Sequence, residues 1–206
     1  MALFYIATYN QNMASGKRIK FAPRKHHRRS IRLPGYDYSQ VGAYYATIVT
    51  HQRDCLFGEV IDEEMALNDF GKIADECWRA IPDHFPNVDL GAHIIMPNHV
   101  HGIIVITDGR GTIYRAPTQE QFQKPVAGSI PTIVRTFKAA VTRRIGREHN
   151  ATGIWQRNYY EHIIRDEKDL QSKTDYIEAN PSLWDDDDNN PRNAQLPPGR
   201  DIPRPD

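Results

Sequence analysis

The sequence predicts an α+β fold, a central antiparallel sheet with helices packed on one face. Three observations carry that prediction. Four runs rich in β-branched and aromatic residues are bounded by turn formers. Three stretches repeat apolar residues at helical spacing, and two of them open on a capping residue. The order is strand, hairpin, helix, strand, strand, helix, strand, helix, so consecutive strands can pair while the helices cover them. A ferredoxin-like or RRM-like sandwich satisfies this order.

The elements follow one another without internal repeats. Residues 1–34 read as an irregular basic leader, with eight Lys/Arg and no acid between Lys17 and Arg32. Residues 43–50 (AYYATIVT) form the first strand, and 56–61 with 65–67 a small hairpin. Asn68 caps a helix over 69–81, with Phe70, Ile73, Ala74, Cys77 and Ile81 on one face; Pro82 and Pro86 end it. Residues 88–96 and 100–107 are adjacent strands joined near Pro97–Asn98, and 108–125 is a polar loop. From Ser129 a second helix runs to about His149, apolar through Ile133, Phe137, Val141 and Ile145, and basic elsewhere. Residues 154–164 read as the last strand, and Asp166 caps a helix that Pro181 stops. One domain over 35–184 is therefore expected, followed by an acidic, proline-rich, disordered tail over 185–206 that begins with the run Asp185–Asp188.

Composition narrows the function. Net charge is formally zero, with 26 basic and 26 acidic residues, which argues against a histone-like binder. The charges are segregated, however: a basic arm suited to an anionic partner, and a solvated acidic end. The two cysteines, Cys55 and Cys77, lack metal or redox spacing. No run approaches the ~18 apolar residues of a membrane span. The expected compartment is the cytoplasm, with Met13 an alternative start to Met1.

Two short stretches carry chemistry. In MPNHVHGIIVI, residues 96–106, His99 and His101 are two apart on a strand and point to one face, where two imidazoles can bind one divalent cation. Two histidines on a polar sheet face are the ordinary alternative. In DYIEANP, residues 175–181, Tyr176 and Asn180 are one helical turn apart. A phenol oxygen can attack phosphorus and an amide oxygen can ligate a hard cation. The ordinary alternative is a packed tyrosine and an asparagine near a helix end.

Together with SIRLPGYDYSQVGAYYATIVT at 30–50, WQRNYYEHIIRDEKDL at 155–170 and DYIEANPSLW at 175–184, these stretches resemble the single-tyrosine transposases of the HUH superfamily, closest to the REP-associated branch. The resemblance implies that His99 and His101 are the metal-binding pair, Tyr176 the nucleophile, and Asn180 the residue completing the metal site, where insertion-sequence relatives usually carry Gln. It implies Mg²⁺ or Mn²⁺ as cofactor, single-stranded or hairpin DNA as partner, and a dimer or a monomer. His162 and Arg165 fall in a segment expected to support the DNA or the site. The DNA track is expected from Arg24, Lys25, Arg28, Arg29 and Arg32, extended by Lys138, Arg143 and Arg144, with Tyr36 and Tyr38 stacking on bases. Two neutral imidazoles and an amide bring no negative charge, so weak Mg²⁺ binding is expected without DNA. Three rivals stand beside this reading: an inactive RRM-like nucleic-acid binder, a zinc hydrolase that lacks an evident third ligand, and Tyr159 or Tyr160 as nucleophile.

Overall fold

The computed structural model describes residues 36–108 and 126–193; the basic leader and most of the polar loop lie outside the described residues. The chain forms β1 (Gly42–Val49), β2 (Gly58–Ile61), β3 (Glu64–Leu67), α1 (Asp69–Arg79), α2 (Ile81–His84), β4 (Val88–Ile95), β5 (His99–Ile106), α3 (Ile130–His149), β6 (Tyr160–Ile164) and α4 (Glu167–Ala179). β4, β5, β1 and β6 make one antiparallel sheet in that order, and β2–β3 is a separate hairpin. The α+β class predicted from the sequence is the class observed.

Local chemistry explains the boundaries. Asn68 caps α1 by accepting the Gly71 amide at 3.0 Å, and Asp166 caps α4 by accepting the Asp169 amide at 2.8 Å. Pro82 ends no long helix but sits in the first turn of the four-residue α2, where its missing N–H is harmless. The last strand begins later than expected. Residues 154–159 run irregularly, with one isolated bridge from Trp155 to Thr50, just past the end of β1.

Helices cover both faces of the sheet, and here the structure differs from the expectation of one face. α1 and α3 bury Ile73, Ala74, Trp78, Ile133, Phe137 and Val141 against Tyr44, Ile48, Val100 and Ile104. α4 lies on the opposite face, where Ile177 and Leu170 meet Ala43, Tyr45, Ile103 and Ile164. The physical cause is legible in β1, whose residues 43–46 are all buried: a strand apolar on successive positions needs cover on both sides. Gly102 helps to close the first face, because Trp78 lies so near that a Cβ would come within 2.2 Å of its ring.

The tail also differs. Residues 184–186 form a 3₁₀ turn and the chain continues, described, to Asn193, with Trp184, Asp187 and Asn190 buried. Low apolar content did not prevent order, because this segment docks on the existing domain by hydrogen bonds. Arg53 donates to the Asp188 carbonyl at 2.7 Å and Asn98 to the Asn189 carbonyl at 2.7 Å, while Asn190 closes the segment on itself by donating to the Trp184 carbonyl at 2.9 Å.

Candidate active site and metal centre

His99 and His101 stand on β5 on the face covered by α4, both buried, with ring centroids 4.4 Å apart. Strand periodicity sends both rings to one side while Val100 enters the opposite core. α4 then lays Tyr176 across them: its ring centroid is 5.3 Å from that of His101 and 6.4 Å from that of Tyr45. Asn180, at the end of α4, is buried beside His99 and Tyr176, and its amide oxygen and nitrogen have no hydrogen-bond partner among the described residues. The structure thus brings together the four residues singled out from the sequence.

The orientation of the imidazoles is set from behind. Nδ1 of His99 lies 2.9 Å from Oδ1 of Asn98, and Nδ1 of His101 lies 2.7 Å from the Tyr45 hydroxyl and 2.9 Å from Oγ1 of Thr47. Both Nε2 atoms are buried and meet no partner among the described residues. Buried polar atoms without partners cost stability, so two converging on one point mark a place for a ligand.

Asp187 is the residue that sequence reasoning missed. Its Oδ2 lies 3.9 Å from Nε2 of His99, and ligand atoms of His99, His101 and Asp187 lie within 4.8 Å of one another. Two imidazoles, a carboxylate and the Asn180 amide form a donor set that fits a divalent cation with mixed nitrogen and oxygen preference, such as Mn²⁺, or Mg²⁺ with further oxygen ligands. The carboxylate corrects the expectation of a site without negative charge. It also offers a third candidate ligand, which the sequence had not shown for a zinc site. A signal was present: Trp184 offers an apolar anchor, and a run of Asp and Asn favours tight turns closed by side chains. Asp187 makes such a turn, accepting the Asn189 amide at 2.6 Å.

Burial governs the electrostatics. It pushes His99 down to about 4, against the opposing pull of Asp187, and holds His101 well below its usual value, with the neighbouring His99 adding to the effect. Both are therefore neutral near pH 7, as metal ligands must be. The Tyr176 phenol is raised, first by burial and then by the Asp187 charge, while Asn180 opposes.

The remaining candidates are spread over the molecule. Arg24, Lys25, Arg28, Arg29 and Arg32 lie outside the described residues. Lys138, Arg143 and Arg144 are on α3, across the sheet from the histidines. Lys138 donates to the carbonyls of Gln156 and Asn158, and burial pushes its amine down to about 8. Arg144 pairs with Glu76 at 2.8 Å and Glu148 at 3.4 Å, whereas Arg143 is exposed. His162 pairs with Asp169 at 2.8 Å, fastening β6 to α4, and Arg165 is exposed, with its amide donating to the same carboxylate. Tyr38 is only 4% exposed and Tyr36 stacks edge-on against it at 4.8 Å, so Tyr38 serves the core rather than a base-stacking surface. Tyr159 packs partly buried against the α1–α3 core, on the side away from the histidines. No helix of the described residues is long and apolar enough to cross a membrane.

The α+β sandwich thus sets a histidine pair on a central strand beneath a helix-borne tyrosine. An uncharacterized protein of Haemophilus influenzae is 45% identical over 166 residues, covering 79% of this chain and 92% of that protein. A second protein of the same organism, described as “Putative REP-associated tyrosine transposase”, is 29% identical over 147 residues, covering 70% and 73%. The solved structure of a REP-associated tyrosine transposase bound to a REP hairpin shares the fold, with a TM-score of 0.53 at 20% identity over 76% of this chain and 74% of that one. No protein-family model matches the chain. The chain is thus similar in sequence to a protein described as a REP-associated tyrosine transposase and shares the fold of a solved one.

Proposed function

We propose that this transposase-like protein is a metal-dependent nickase and strand transferase of single-stranded DNA that uses Tyr176 as nucleophile. The observation that carries the reading is the placement of Tyr176 beside His101, whose ligand atom clusters with those of His99 and Asp187, with the buried Asn180 next to them. The Tyr176 oxygen attacks a DNA phosphorus, a bond to phosphorus forms and the bond to the 3′ oxygen breaks. The tyrosyl proton is lost, the departing oxygen gains one, and the products are a 5′-phosphotyrosine and a free 3′ hydroxyl. Attack by another 3′ hydroxyl reverses the step and joins strands.

A raised phenol pKa leaves Tyr176 protonated at neutral pH, so the reaction needs charge stabilisation at the phosphate. A divalent cation held by His99, His101 and Asp187, with Asn180 as a further oxygen donor, would supply it as a Lewis acid. Asn98, Tyr45 and Thr47 keep the imidazoles aimed, and the docked tail excludes water from the His99 side. Hairpin DNA is the proposed substrate and the basic leader its proposed arm; deleting residues 1–29 should lower the salt dependence of DNA binding.

The test is incubation of labelled hairpin strands with the protein and Mn²⁺, followed by peptide mapping of the covalent adduct. Tyr176→Phe should abolish the adduct and leave binding nearly unchanged. An adduct on Tyr159 or Tyr160, or full activity in excess chelator, contradicts the reading.

A further inference from the structure

α4 carries a third polar residue on the face that bears Tyr176 and Asn180. Lys173 stands three residues before Tyr176 and is only 7% exposed, with its ammonium 5.9 Å over the ring of Tyr45. An ammonium at the end of a buried side chain is retained where an anion meets it. Among the described residues no carboxylate does so. Asp169, one turn earlier on α4, already accepts from His162 at 2.8 Å and from the Arg165 amide at 3.2 Å. Among the described residues Lys173 itself meets only the Tyr45 ring, with no hydrogen bond or ion pair.

A second observation lies beside it. Tyr160, the first residue of β6, is 50% exposed, one of the three most exposed large apolar side chains among the described residues. Its register opposite Thr47, and its edge-on contact with Tyr45 at 6.4 Å between centroids, put it on the same sheet face as His101 and Lys173. Tyr45 is therefore ringed by a stacked His101, the nucleophile candidate Tyr176, the Lys173 ammonium and a half-exposed aromatic ring.

We infer that Lys173 and Tyr160 form a nucleotide subsite next to the reacting phosphate, the ammonium binding the phosphate of a neighbouring nucleotide and the Tyr160 ring stacking on its base. The inference deepens the single-strand DNA reading and rests on it for the identity of the ligand. The chemistry is that of single-strand binding in general: a cation for the backbone and an aromatic face for a base. The helix geometry agrees, since Lys173 and Asn180 are seven residues apart on one stripe, about 10 Å along the axis. That span is of the order of one to two nucleotide steps of an extended strand. It also gives Tyr160 a use that needs its ring and not its hydroxyl.

The experiment measures binding of full-length protein to a labelled oligothymidylate of about twelve nucleotides, and to an abasic strand of equal length, over a series of salt concentrations. Lys173→Met should lower the slope of log affinity against log salt by about 0.7, equivalent to about a fourfold loss at 0.15 M salt relative to 1 M. Lys173→Arg should keep the wild-type slope. Tyr160→Ala should reduce the preference for oligothymidylate over the abasic strand by roughly five- to a hundredfold. An unchanged slope in Lys173→Met, whatever its melting temperature, overturns the phosphate role, and an unchanged base preference in Tyr160→Ala overturns the stacking role. A wild-type protein that binds with these slopes but never forms a covalent adduct overturns the tyrosine chemistry and leaves the subsite standing.

Discussion

Asn98 decides which nitrogen of His99 faces the candidate metal site. Its amide nitrogen donates to the carbonyls of Arg53 at 2.9 Å and Asn189 at 2.7 Å, so its oxygen is the atom turned to Nδ1 of His99 at 2.9 Å. Nδ1 must then carry the hydrogen, and Nε2 keeps its lone pair for a ligand. The same side chain ties down the tail that brings Asp187 to the site.

Asn98→Ala should therefore weaken Mn²⁺ binding by about 10–100-fold, the usual cost of losing a group that orients a ligand. Isothermal titration of the protein with Mn²⁺ in the absence of DNA measures it directly. Affinity equal to wild type would show that the tautomer is held by something else.

Asp187→Asn tests the carboxylate alone, with shape preserved. Mn²⁺ affinity without DNA should fall at least tenfold, since the only negative charge among the proposed ligands is lost. The Tyr176 phenol should titrate lower in the variant, because Asp187 raises it in the wild type. Spectrophotometric titration, with Tyr176→Phe as the reference for assigning the signal, reads that shift.

Acid should destabilise the metal-free protein in a defined window. His99 titrates near 6.5 when unfolded and near 4 when folded, so between these values the unfolded chain binds more protons. Its contribution is fully present above about pH 6.5 and is lost as pH falls to about 4, on the order of 3 kcal/mol in all. His101 acts in the same direction. Urea unfolding of chelator-treated protein at pH 7, 5.5 and 4.5 should give midpoints that decrease in that order, and a flat profile would contradict the buried neutral pair.

Gly102→Ala should destabilise the fold by about 1–3 kcal/mol, as overpacking does. The added methyl would stand 2.2 Å from Cζ2 of Trp78, a ring wedged against the sheet and stacked on His93. Because Gly102 follows His101 directly, the variant should also bind Mn²⁺ more weakly. Thermal melting and the same Mn²⁺ titration check both effects.

By itself the sequence determined the order and type of the elements, the caps at Asn68 and Asp166, and the two stretches that hold His99, His101, Tyr176 and Asn180. These are local properties: strand periodicity turns i and i+2 the same way, and one helical turn brings i and i+4 together. Only the tertiary structure decided that α4 covers the histidine face, that Tyr38 enters the core, and that Arg144 serves an ion pair between helices. It also decided the part played by residues 184–190. Asp187 lies 88 positions from His99 in the chain, and no periodicity connects them. Their meeting depends on where Trp184 finds apolar cover and which carbonyls Asn98 and Arg53 can reach, contacts that exist only once the sheet and α4 are in place.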